Sequence, residues 1–238
     1  MARREKTIVL HDVYRLCTLS LLTIGLVHTC CVPHQWFGPV RVLTTTVAQG
    51  MPGTDVQVTL HGYDGNNHRV AVSYRDENGT YVRDILDYGK GLEMFITNDI
   101  WNSPQIKCTK HQLKGSWKPA CTPANATISK EFYMGHPPQQ YYKQLYAKTF
   151  SFTRETLKAK TMMTTDKCSI VGEVAYDISD PFGAKVINRL YVNQSFYPYD
   201  DFFKPPENVT CVPDSNPPPL SPWRRLSLFG LLVAWPEY

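Results

Sequence analysis

Period-two alternation is the feature that most limits what this chain can become. Val56-Gln57-Val58-Thr59-Leu60 sets an apolar side chain at every second residue, and Val70, Val72 and Tyr74 repeat the pattern within 68–74. A pleated strand sends successive side chains to opposite faces, so such segments bury one face. The turn-rich Tyr63-Asp64-Gly65-Asn66-Asn67 between them predicts a β-hairpin. A second turn at Asp76-Glu77-Asn78-Gly79 leads into a strand over 81–88, and Leu92, Met94 and Ile96 alternate in the next. Strands are also predicted over 146–153, 161–166, 170–176 and 186–192. Asp200–Phe203 suits one short helical turn, stopped by Pro205-Pro206. The Pro- and Lys-rich stretch 103–138 reads as mostly loop with short strands. Long helical periodicity is scarce. Many short strands with a turn about every eight to twelve residues predict stacked antiparallel sheets or a half-open barrel.

Composition supports a folded core. Apolar residues make up 42% of the 238, charged residues 19% and aromatics 12%. The net charge is +4. Half of it falls in the first 29 residues, where Arg3, Arg4, Lys6 and Arg15 face Glu5 and Asp12. The remainder is too weak and scattered for a nucleic-acid footprint.

The chain carries the marks of secretory traffic. Arg3, Arg4 and Lys6 precede an apolar stretch from Leu16 to Val27, so residues 1–29 read as a signal peptide cut before Cys30. Such a cut removes Cys17 and leaves six cysteines: Cys30, Cys31, Cys108, Cys121, Cys168 and Cys211. In an oxidising compartment they allow three bridges and fifteen connectivities. A cut after Cys30 would instead leave an odd thiol. Four N-glycosylation sequons follow, at Asn78, Asn125, Asn193 and Asn208. Residues 30–212 form the expected β domain. Residues 213–238 form a Pro-rich tail, read as disordered or surface-docked, with an apolar run from Leu226 to Trp235.

No catalytic signature is present. There is no His-Glu-x-x-His, no Gly-x-Ser-x-Gly, no phosphate-cradling loop and no Cys-x-x-Cys. A protein that is not an enzyme is the expectation. Asp64-Gly65-Asn66 and Asp200-Asp201 offer oxygen ligands for calcium, although the same residues serve tight turns. The strand residues Val56, Val58, Leu60, Val70, Val72, Met94, Ile96, Phe150 and Phe152 could line an apolar pocket or fill an ordinary core.

Several segments resemble the ependymin family. They are Cys31-Val-Pro-His-Gln-Trp36-Phe-Gly38, Tyr63-Asp64-Gly65-Asn-Asn-His-Arg69-Val70-Ala-Val72, Lys107-Cys108, Lys167-Cys168 and Phe203-Lys-Pro-Pro206-Glu-Asn-Val-Thr-Cys211. The resemblance runs from about residue 30 to 212. It implies two stacked antiparallel sheets in a half-barrel, similar to bacterial lipoprotein carriers, with an apolar pocket. It also implies a secreted or lysosomal glycoprotein, often a homodimer, linked to calcium, lipid and cell–matrix adhesion. Given that resemblance, a cavity for lipid or another apolar ligand becomes the favoured expectation for the strand residues, with an adhesion glycoprotein as the alternative. By position, Cys31 would pair with Cys168 and Cys108 with Cys211. Cys30 and Cys121 depart from the family pattern and would then pair with each other, unless Cys121 is free or bridges two subunits.

Overall fold

The computed structural model describes residues 29–48, 51–76, 78–99, 103–134, 145–154, 157–177, 185–197 and 199–216. The expected signal peptide, Thr29 apart, and most of the expected tail lie outside these residues. The chain is mostly β. Strands β1 (Gln35–Ala48) and β2 (Met51–Asp64) form a long hairpin, paired from Gln35↔Asp64 to Ala48↔Met51. On one side β2 begins an antiparallel meander through β3 (Arg69–Arg75), β4 (Tyr81–Asp87), β5 (Leu92–Asp99) and β6 (Ser103–Gln112). On the other side β1 pairs with β12 (Lys185–Tyr191), which begins a second meander through β11 (Ile170–Asp177), β10 (Leu157–Thr164) and β9 (Leu145–Arg154). Short strands β7 (Thr127–Ile128) and β8 (Phe132–Met134) pair with β9, and β13 (Val212–Pro213) pairs in parallel with β6. The segment expected to be mostly loop thus opens with a ten-residue strand. Period-two alternation is absent there: the buried residues of β6, Cys108 and His111, are three apart, with Thr109 and Lys110 half-buried between them.

The hydrogen-bonded ladder is one continuous sheet of thirteen strands, and among the described residues nothing closes β7 or β9 onto β6 or β13. It nevertheless forms two layers. A single apolar cluster unites Tyr63, Val70 and Leu86 of one arm with Phe150, Phe152, Ala159 and Met163 of the other. β4 and β9 are seven steps apart along the ladder, so the sheet must curl until its two arms face each other. This is the half-barrel. Trp36, 1% exposed, lies on β1 in the middle of the ladder and meets Tyr191 edge-on at 5.7 Å.

One end is tied shut. Residues 30–32 run antiparallel to residues 120–122: Val32 N–H donates to Ala120 O, Thr122 N–H to Cys30 O, and Cys30 N–H to Thr122 Oγ1, each at 2.9 Å. That pairing places Cys31 directly opposite Cys121, and they form a disulfide. Alternation turns the neighbouring Cys30 the other way, to Cys168 in the β10–β11 turn. The expected pairs Cys31–Cys168 and Cys30–Cys121 are therefore corrected, each cysteine of the dipeptide taking the other's partner. The third bridge joins Cys108 to Cys211. Trp117, in the loop after β6, stacks on Tyr63 at 5.4 Å and on His68 at 5.2 Å over this same end.

The outer face carries a separate cluster. The 3-10 turn Asp200–Phe203 drives Phe202 and Phe203 against Ala71, Ile85 and Ile96. Burying two such rings contributes about 1.5–3 kcal/mol each. They approach so closely that a Cβ on Gly62 would lie 2.8 Å from both. Only glycine fits there.

Candidate functional site: a polar row on the concave face

Register decides which residues look into the half-barrel. Trp36, Val40 and Val42 of β1 share a face with Thr59, His61 and Tyr63 of β2, with Val70 and Val72 of β3, and with Ile187, Arg189 and Tyr191 of β12. The same face continues through Glu173 and Ala175 of β11, Ala159 and Thr161 of β10, and Phe150 and Phe152 of β9.

The expected pocket set divides on this basis. Val70, Val72, Phe150 and Phe152 are buried on the concave face. Val56, Val58, Leu60, Met94 and Ile96 lie on the opposite face. Leu60, Met94 and Ile96 pack in the cluster under Phe202 and Phe203. Val56 and Val58 are 51% and 63% exposed, so neither lines an interior. The reason is length: β3 pairs only with Leu60–Asp64, and the outer half of β2 outruns its neighbour.

Sequence reasoning missed a row of polar side chains on the concave face. Thr161 on β10 and Arg189 on β12 flank Glu173 on β11 as its two cross-strand neighbours. Such pairs bring Cβ atoms to about 4.5–5.5 Å. Tyr191 stands two residues beyond Arg189 on the same face. All four are buried, with Phe150, Phe152, Ala159, Ala175 and Ile187 of the apolar cluster beside them; Thr59, His61, Asp84, Glu93 and His111 are further buried polar residues of the same face, on β2, β4, β5 and β6. Arg189 Nη1 donates to Glu173 Oε2 at 2.8 Å, with both side chains at 0% exposure. Glu173 Oε1, Thr161 Oγ1 and Tyr191 Oη are buried and make no hydrogen bond among the described residues.

Electrostatics follow from this dry setting. Burial pushes the Glu173 carboxyl up, and the Arg189 charge and hydrogen bond offset only part of the shift. Burial, reinforced by the Glu173 charge, holds the Tyr191 phenol well above its usual value against the pull of Arg189. His61 is held neutral, its pKa lowered to about 3 by burial and then by the Arg189 charge. His61 Nε2 and Thr59 Oγ1 lie 2.9 Å apart. The row thus offers a protonated phenol and a hydroxyl beside an internally neutralised ion pair.

Of the residues first considered for calcium, Asp64 and Asp200 have their carboxylates otherwise engaged. Asp64 accepts hydrogen bonds from Gln35 Nε2 at 3.0 Å, from Asn67 N–H at 3.2 Å, from Asn67 Nδ2 at 2.7 Å and from Arg69. Asp200 accepts from Arg69 at 2.9 Å and from Lys204. The turn chemistry of Asp64 accounts for its sequence setting. Among the described residues, no group of three or more His, Cys, Asp or Glu is placed to hold a metal. The sequon residues Asn78, Asn125, Asn193 and Asn208 are all exposed.

No family model and no curated protein matches the chain. Among solved structures it is similar to PNGF-II in its P21 crystal form, at a TM-score of 0.30 and 9% identity, covering 74% of this chain and 32% of that one. It is also similar to a LolA-superfamily protein from Nitrosomonas europaea, at a TM-score of 0.31 and 9% identity, covering 74% of this chain and 93% of that one. By its own geometry the chain is a disulfide-bridged β half-barrel with a buried, partly polar concave face.

Proposed function

We propose that the protein is a carrier of ependymin type, which holds a lipid or another apolar ligand between the two arms of its half-barrel. The observation that carries this reading is the open seam. The arms share one apolar cluster, yet no hydrogen-bonded ladder joins their far edges among the described residues. A closed barrel admits a ligand only through its open end. Here the arms can part by separating side chains alone, and an apolar ligand restores the lost burial. The three disulfides fit an oxidising, extracytosolic setting. The exposed sequon asparagines leave room for glycans there. On this reading the protein binds and delivers rather than catalyses.

Native mass spectrometry of the protein secreted from eukaryotic cells, followed by organic extraction, tests the proposal. A stoichiometric co-purifying lipid is the expected result. A chain that emerges empty and takes up nothing from a mixed lipid extract would overturn it.

A further inference from the structure

We propose that Thr161, Glu173 and Tyr191 form the polar end of the ligand site, and that they select amphiphiles whose head group is an uncharged hydroxyl. The proposal rests on the carrier reading and names the ligand class within it.

The first support is placement. Thr161 and Glu173 are paired across β10 and β11, and Tyr191 lies on β12 beside the Arg189 that pairs with Glu173. Their exposures are 0%, 3% and 6%. Phe150, Phe152, Ala159, Met163, Ala175 and Ile187 belong to the apolar cluster around them.

The second support is hydrogen-bond accounting. Buried polar atoms are almost always partnered, because each orphan forfeits the bond it had in water. Glu173 Oε1, Thr161 Oγ1 and Tyr191 Oη are three such orphans on neighbouring strands. A core that only needed filling would carry Val, Leu and Phe at these positions. One carboxylate oxygen requires a donor, while a phenol and a hydroxyl can each donate. A single ligand hydroxyl meets both demands: it donates to Glu173 Oε1 and accepts from Tyr191 or Thr161.

The third support is charge. Arg189 and Glu173 neutralise each other at zero exposure. An anionic head would face the Glu173 carboxylate in a dry site. A cationic head would meet the Arg189 guanidinium. Either brings an added net charge into a dry wall where the Arg189 and Glu173 charges already offset each other. A fatty alcohol, a monoacylglycerol or a sterol presents a hydroxyl and no charge. The three oxygens have no solvent contact, so the head group reaches them when the arms part.

The test compares hexadecanol, hexadecanoate and hexadecane on the full secreted chain, scored by displacement of a fluorescent apolar probe. Hexadecanol is expected to bind most tightly. Tyr191→Phe and Thr161→Val keep the shape of each side chain and remove an orphan oxygen. Each is expected to weaken hexadecanol binding about tenfold, one hydrogen bond's worth, and to leave hexadecane binding unchanged. The thermal midpoint of each variant should hold or rise, since the substitution deletes an unpartnered group. A merely structural role would instead lower the midpoint and leave the alcohol-to-alkane ratio alone. Should Tyr191→Phe fail to fold, Thr161→Val carries the measurement. Equal binding of all three probes, or an unchanged ratio in both variants, overturns the head-group assignment and leaves buried water as the occupant. Failure of all three probes to bind overturns the carrier reading, and this one with it.

Discussion

Two arginine–carboxylate pairs sit on opposite faces of this sheet, and they are built in opposite ways. Arg69 and Asp64 lie on the outer face near the 3-10 turn. Asp64 is wholly buried, yet it collects hydrogen bonds from Gln35, Asn67 and Arg69, and Arg69 also reaches Asp200 and rests 4.9 Å over the Phe203 ring. Burial alone would raise the Asp64 pKa, but those hydrogen bonds together lower it. Glu173 has the same kind of partner and a similar burial, but one of its oxygens is left without a bond and its pKa goes up. A carboxylate that is fully partnered works for the fold. A carboxylate kept half-partnered in a dry wall is a standing cost to the fold, and on the head-group proposal a ligand hydroxyl offsets it.

The comparison can be broken in several places. The largest effect is expected from Arg189→Leu, which strands the Glu173 charge in the core. It should cost about 3–5 kcal/mol in denaturant unfolding. Combining it with Glu173→Leu should recover most of that loss, and a double variant no better than the single one would contradict the picture. Asp64→Asn removes a charge from a saturated set. It should cost about 1–3 kcal/mol, with no rescue by changing Arg69, because the one remaining amide oxygen cannot serve all the donors of Gln35, Asn67 and Arg69 that two carboxylate oxygens served.

The acid limb gives a subtler contrast. Asp64 has a folded pKa below its usual 3.8, so its contribution is present above that value and is lost as pH falls through the lowered one. Glu173 has a folded pKa above its usual 4.5, so its contribution is full below 4.5 and is lost as pH rises through the raised one. Stability measured against pH should lose an upward slope in Asp64→Asn and a downward slope in Glu173→Gln. Slopes of the same sign would show the two carboxylates to be alike. The smallest expected effect is from calcium: Arg69 already occupies the cation position at both Asp64 and Asp200, so added calcium should leave the unfolding midpoint where it was.

Much of the architecture was legible because strands announce themselves through alternation. The hairpin about Gly65, the strands over 81–88 and 170–176, and the helical turn before Pro205 all follow local rules of pattern and turn chemistry. What escaped was set by distant neighbours. Alternation told that Val56 and Val58 share a face with Leu60, but not that β3 ends too soon to cover them. Cys30 and Cys31 are chemically alike, and only the pairing of 30–32 with 120–122 separates their partners. Glu173 and Arg189 belong to no motif, and charged strand residues are ordinarily exposed. The signal was available: Glu173 alternates with Ala175, and Arg189 with Ile187 and Tyr191, so each charge interrupts an apolar stripe.

The Cys30–Cys31 dipeptide also fixes where the half-barrel can yawn. One cysteine holds the turn that ends β10, the other the loop that follows β6, and these belong to different arms. At that rim the arms are hinged through two adjacent residues and cannot separate. Any widening must grow toward the far rim, where the β1–β2 tip and the β3–β4 turn lie. Tyr191 and Thr161 stand near the hinged rim, by the end of β12 and the end of β10. On the carrier proposal, a guest would therefore enter head first and leave tail first, its polar end at the hinge and its chain pointing out of the mouth.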